Sequence, residues 1–181
     1  MRSPAATPVI VIALAVPAAP LPASAAPAPA SAVAAKPKTG QRIARISIPR
    51  MKVRGPVRQG VSRRVLARGI GHHPGTAMPG EIGNAVLLAH RTTYKAPFSN
   101  IQRMRTGDRI TVTTGGRTYV YRTYKKRIIS PRKTSVLAPV PFKRGAQARD
   151  SVLTLISCHP RGSDRKRLVV LARRVPGQAG R

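Results

Sequence analysis

The stretch Ile110-Thr111-Val112-Thr113-Thr114-Gly115-Gly116-Arg117-Thr118-Tyr119-Val120-Tyr121-Arg122-Thr123-Tyr124 carries the signature of a β-hairpin. Two runs of β-branched and aromatic residues flank a Gly-Gly pair, and glycine supplies the positive φ that a tight two-residue turn demands. The same period of two extends outward. Arg42–Ile48 alternates apolar and polar residues, and Val53–Val57 is a short strand interrupted by Gly55-Pro56. Ser62–Arg68 is expected to make one helical turn capped by Ser62, and Phe98–Met104 a second short helix. Asn84–Ala89 is an apolar run suited to a buried strand. Lys126–Ile129 is expected to start another strand, and Val152–Ser157 and Leu168–Ala172 are two more, joined by a polar loop. Seven or eight short strands with few helices point to a mainly β fold. Closure into a barrel removes the long exposed edges that a sandwich would leave.

The ends of the chain read differently. Residues 1–25 open with Met1-Arg2, continue through the apolar Val9–Val16 and reach Ala23-Ser24-Ala25, small residues at the spacing a signal peptidase reads. Pro17, Pro20 and Pro22 interrupt a stretch that would need about 20 apolar residues to span a bilayer. This segment is therefore expected to be a secretory signal peptide or a kinked N-terminal anchor, which places the domain outside the cytoplasm. Residues 26–40 are rich in Ala and Pro and are expected to form an extended linker. The folded domain is expected over residues 41–175, with a disordered tail at 176–181.

Composition narrows the chemistry. Thirty-four Lys and Arg face four acids, Glu81, Asp108, Asp150 and Asp164, for a net charge of +30. So few carboxylates argue against a two-carboxylate hydrolase and against a calcium site. The lone cysteine and scattered histidines make no zinc pattern, so no metal or cofactor is expected. Gly69-Ile70-Gly71 with Gly75 lacks the preceding strand and following helix of a dinucleotide loop. The positive charge suits contact with anionic wall polymers or a membrane surface. Specific nucleic-acid binding is not expected: there are only two Phe, four Tyr and no Trp to stack bases, and no recognition-helix pattern. Arg also outnumbers Lys, 25 to nine, as in chains from GC-rich genomes.

The remaining reactive group is Cys158, in Thr154-Leu155-Ile156-Ser157-Cys158-His159-Pro160. A lone thiol forms no intramolecular disulfide, and most single cysteines are small buried hydrophobes. A nucleophilic thiol needs a proton partner and a donor for the oxyanion it creates. His159 is adjacent and faces away if the strand persists. His90 ends an apolar run as Cys158 does and is favoured over His72 and His73, which lie in a Gly-rich loop. Arg167 opens the last apolar run nine residues after Cys158, a spacing that suits a return along the neighbouring strand; Arg161 and Arg165 compete with it. Arginine stays protonated and offers forked donors to a carbonyl oxygen.

Several segments taken together resemble the sortases. They are Gly71-His72-His73-Pro74-Gly75-Thr76-Ala77, Gly83-Asn84, His90-Arg91-Thr92-Thr93-Tyr94 with Pro97-Phe98, Gly107-Asp108, Thr154-Leu155-Ile156-Ser157-Cys158 and Arg167-Leu168-Val169-Val170, covering roughly residues 42–173. The resemblance implies a closed eight-stranded barrel with one or two short helices and a cysteine transpeptidase of peptidase type. It implies that Cys158 attacks the Thr-Gly bond of a C-terminal sorting signal on a secreted protein, Leu-Pro-x-Thr-Gly or Leu-Ala-x-Thr-Gly. His90 would give the leaving amine its proton, and Arg167 would hold the oxyanion. An amine of a peptidoglycan precursor would then take the acyl group. A pilin-polymerising or specialised sortase, and an inactive basic barrel that binds cell wall, are the alternative readings.

The chain departs from the family pattern at Ser157, where Thr usually precedes the cysteine, and at Ala89, where Gly often precedes the histidine. The His-Arg-Thr-Thr-Tyr segment and the actinobacterial-looking composition resemble the class E group. In that group a tyrosine in this loop, here Tyr94, goes with preference for Ala in the signal. Thr92 and Ser157 are the other expected substrate contacts.

Overall fold

The computed structural model describes residues 36–179, with side chains to 177. The expected signal or anchor at 1–25, most of the linker and the last two residues of the tail lie outside the described residues. The described chain is mostly strand. β1 (Arg42–Ile48), β2 (Val53–Gln59), β3 (Ile70–His72), β4 (Gly83–Leu88), β5 (Arg109–Thr114), β6 (Arg117–Ile129), β7 (Ser151–His159) and β8 (Lys166–Ala179) close into a barrel in the order β1-β2-β3-β4-β7-β8-β6-β5. Four short helical pieces decorate it: α1 (Arg63–Ala67) and three single 3₁₀ turns, Pro49–Met51, Ile101–Arg103 and Thr134–Leu137. Among the described residues no helix is long and apolar enough to cross a membrane.

The hairpin forms as its turn chemistry requires. Gly115 and Gly116 both have positive φ, 54° and 72°, and Thr114 faces Arg117 across the turn. The alternation in β1 sends Ile46 and Ile48 into a core completed by Leu87, Ile110, Val112, Tyr121, Leu153, Leu155 and Val170. Ser62 caps α1 as expected, its hydroxyl accepting from the Val65 amide at 3.4 Å. The strand expected from Lys126 is instead a continuation of β6, which passes Thr123–Lys125 through a register shift and runs on to Ile129. That irregularity breaks the alternation that would have marked one long strand. β2 runs through Gly55-Pro56 without interruption. Pro56 is tolerated because β3 pairs with β2 only from Val57 onward, which leaves this part of β2 free on that side.

Two further details differ from the expected boundaries. Lys38–Gln41 form a turn, and the Gly40 amide donates to Gln59 O at 2.7 Å, so ordered packing starts before Gln41. β8 continues through 176–179, where Ala179 pairs with Tyr119 of β6. β3 lies inside what reads as a glycine-rich loop. Gly71 is required there, because a Cβ would collide with the Gly60 carbonyl oxygen.

Two apolar layers set which way the strand ends point. Alternate residues of the central strands face opposite ways: Ala85, Leu87, Leu153, Leu155, Leu168 and Val170 fill the barrel. Val86, Ile156, Val169 and Leu171 lie on its outer surface, beneath Val136 and Leu137 of the β6–β7 connection. Asn84 pins that connection: its amide nitrogen donates to Val136 O (2.8 Å) and Ala138 O (3.0 Å), while its carbonyl accepts from Thr154 Oγ1 (2.6 Å).

Candidate active site

Cys158 lies one residue before the end of β7, partly exposed and unpaired. Its register partner on β8 is Arg167. On the other side, β4 runs parallel to β7 with Leu88 opposite Ile156, and the Ala89 amide still donates to Ile156 O at 3.3 Å. Carried on by two residues, that register sets His90 opposite Cys158. By the same alternation all three belong to the outer face: Cys158 follows Ile156, Arg167 precedes Val169, and His90 follows Leu88. The strand order β4-β7-β8 thus gathers onto one rim three residues that lie up to 77 positions apart in sequence, 167 − 90.

His90 Nε2 is buried and has no hydrogen-bond partner among the described residues. Buried ring nitrogens are normally paired, so an unpaired one beside the thiol strand stands out. The Tyr94 ring packs against His90, centroids 5.0 Å apart and tilted by 40°. Tyr94 is 62% exposed and has φ +54°, a left-handed conformation that a bulky residue adopts only when its surroundings impose it. Thr92 is exposed in the same loop.

Arg167 has its Nη1 engaged by the carbonyl oxygens of Asp164 (2.6 Å) and Lys166 (3.0 Å). The guanidinium is held on its own loop. Arg161 reaches Ser99 O at 3.5 Å, and Arg165 is exposed. Ser157, expected to touch substrate, is buried at 3% exposure and donates to Ala89 O at 2.8 Å. Alternation turns it into the barrel, where it ties β7 to β4 just below the rim.

His72 and His73 are not part of this rim. His72 ends β3 at 1% exposure, with Nε2 2.9 Å from Ala77 O and 3.1 Å from Thr76 Oγ1, and Nδ1 2.8 Å from the Gln59 side chain. Burial pushes its pKa below the ordinary value, with the Ala77 bond opposing. Nε2–H donates to Ala77 O, and Nδ1 faces the Gln59 Oε1 acceptor. The His73 ring bonds its neighbour Pro74 O through Nδ1, at 2.7 Å.

One residue of this site is not distinguishable from sequence. Arg91, 5% exposed, donates through Nη1 to Cys158 O (3.1 Å) and to His159 Nδ1 (3.1 Å), and through Nη2 to Gln102 Oε1 (3.0 Å). It braces the end of β7 against the Ile101–Arg103 turn. Burial and the nearby Arg161 charge push its pKa down, while Cys158 acts in the opposite direction. His159 spends its Nδ1 on Arg91; its own pKa is lowered by burial first, then by Arg91 and Lys166. A cleft of about 620 Å³ lies elsewhere on the outer surface, between β6, β8 and Pro139–Phe142, and contains none of these residues.

The Sortase domain family model matches residues 46–175. Sortase SrtE1 of Streptomyces coelicolor is 35% identical over 144 residues, 75% of this chain and 41% of that protein. Sortase D of Bacillus subtilis is 27% identical over 143 residues, 77% of this chain and 67% of that protein. The chain thus spans about two fifths of the SrtE1 relative's length. Among solved structures, sortase E1 from Streptomyces coelicolor with a tripeptide in its active site superposes with a TM-score of 0.71 at 34% identity, covering 77% of this chain and 91% of that one. The SrtA sortase from Actinomyces oris gives a TM-score of 0.72 at 29% identity, covering 77% and 83%.

Proposed function

The chain belongs to the sortase family, of class E-like type, and from that premise we propose that it is a cysteine transpeptidase acting on C-terminal sorting signals outside the cytoplasm. The observation that carries the reading is the placement of Cys158 between Arg167 on β8 and the strand end that bears His90, all on one outer face.

In this reading the Cys158 thiolate attacks the Thr carbonyl of a Leu-Pro-x-Thr-Gly or Leu-Ala-x-Thr-Gly signal. The C–S bond forms, the carbonyl oxygen takes the negative charge, and Arg167 leaves its loop carbonyls to donate to it. His90, through the unpaired Nε2, gives a proton to the leaving glycine nitrogen as the C–N bond breaks. An incoming amine, that of a peptidoglycan precursor, then attacks the thioester, loses its proton to His90 and restores the thiolate. Tyr94, exposed and strained against His90, contacts the second residue of the signal and favours Ala there.

The test incubates the full chain with both signal peptides and hydroxylamine, and reads the threonine hydroxamate by mass spectrometry. Product from the native protein and none from Cys158→Ala is expected. Equal product from the variant, or none from either peptide, overturns the reading.

A further inference from the structure

On the far side of the His90 loop is a second, smaller cleft of about 400 Å³, between β2, the entry to β3 and that loop. Six cations line it: Arg42, Lys52, Arg54, Arg58, Arg68 and Lys95, with no carboxylate among the lining residues. Arg42 and Arg58 are register partners across β1 and β2. Like charges directly opposite in an antiparallel pair repel, so the placement costs stability. The chain's own acids do not offset it. Asp108 pairs with Arg50, Asp150 with Arg173, Glu81 caps the Met78 amide, and Asp164 is exposed between β7 and β8, outside the cleft.

Most exposed cations are adequately solvated, but one group here is not. Arg58 holds Gly40 O through Nη1 at 3.1 Å, while its Nε is buried without a hydrogen-bond partner among the described residues. A buried, charged donor left unpaired is costly and calls for an acceptor.

We propose that this cleft is a binding site for a phosphate-class anion, a pyrophosphate or phosphodiester group. Its oxygens supply several acceptors and more than one negative charge, which matches forked guanidinium donors and offsets several cations at once. A single carboxylate would leave most of the cluster uncompensated. Lys95 and Pro97 belong to the loop that carries His90 and Tyr94, so an anion seated here orders the loop that borders the thiol. This goes beyond the transpeptidase reading and does not depend on it.

The test is calorimetric titration of the full chain with pyrophosphate at fixed ionic strength. One saturable site is expected, weakened about tenfold or more in an Arg42→Gln, Arg54→Gln, Lys95→Gln triple variant through the loss of charged donors. An Arg132→Gln, Lys133→Gln variant, altered on the exposed β6–β7 connection, controls for overall charge and is expected to bind as the native chain does. Arg42→Gln alone is expected to raise the thermal midpoint while lowering affinity, because it relieves the cross-strand repulsion. Two further arms distinguish the source of the anion. Sedimentation with phosphatidylglycerol vesicles but not phosphatidylcholine vesicles, reversed by pyrophosphate, assigns the site to a lipid headgroup. Pyrophosphate binding without sedimentation assigns it to a soluble or pendant phosphate. Non-saturable uptake, or equal weakening in the control variant, overturns the proposal.

Discussion

Arg91 shows how much of the candidate site rests on one buried guanidinium. Its guanidinium spans the Cys158 carbonyl, His159 and Gln102, so it sets the angle at which β7 ends. Arg91→Ala is expected to lower kcat for peptide acylation by about ten- to a hundredfold with little change in KM, as a misplaced nucleophile does. Arg91→Lys is expected to recover only part, since an ammonium cannot reproduce the fork. Acylation kinetics on the folded variants check both. His90→Ala removes the proposed proton donor and is expected to cost about a hundredfold or more in kcat. Cys158 and His90 stand out in the sequence because they end apolar runs. Arg91 is one of 25 arginines, and only burial against β7 distinguishes it. Ser157 misleads for the opposite reason: next to the thiol in sequence, it faces into the barrel.

Among the elements, β4 and β3 hold the site at a distance. Asn84→Ala frees the Val136 and Ala138 carbonyls and strands Thr154. A loss of about 2 kcal/mol in stability is expected, read by denaturant unfolding. β3 brings a pH dependence. Burial lowers the pKa of His72 below 6.5, so as pH falls beneath 6.5 the unfolded chain binds a proton that the native ring resists. Stability is therefore present above that pH and lost below it. His159 acts in the same direction. Thermal midpoints measured across this range are expected to fall toward acid, with a shallower slope in His72→Gln. The hairpin, β1, β4 and β7 were legible because alternation or a dense apolar run marks each one. β3 was not: three residues that include a glycine carry no periodicity, and it exists because β2 and β4 leave a slot for it. The single span of β6 was hidden by its own register shift.

Across the whole molecule, positive charge is left largely uncompensated. At +30, self-repulsion opposes the compact state, and only two side-chain ion pairs occur among the described residues. Added salt shortens the Debye length to about 10 Å at 0.1 M, so the thermal midpoint is expected to rise with ionic strength; a fall would show that attractive pairs prevail. The pairings at the two ends of β6 have a directional consequence. Near its start, Tyr119 meets Ala179 of β8, while the adjoining Thr114 holds Ile43 of β1; at its finish, Ile129 meets Arg167, the partner of Cys158. Ten residues of strand, from Tyr119 to Ile129, measure about 33 Å. The last residues of β8 and the Cys158 register therefore lie at opposite ends of β6.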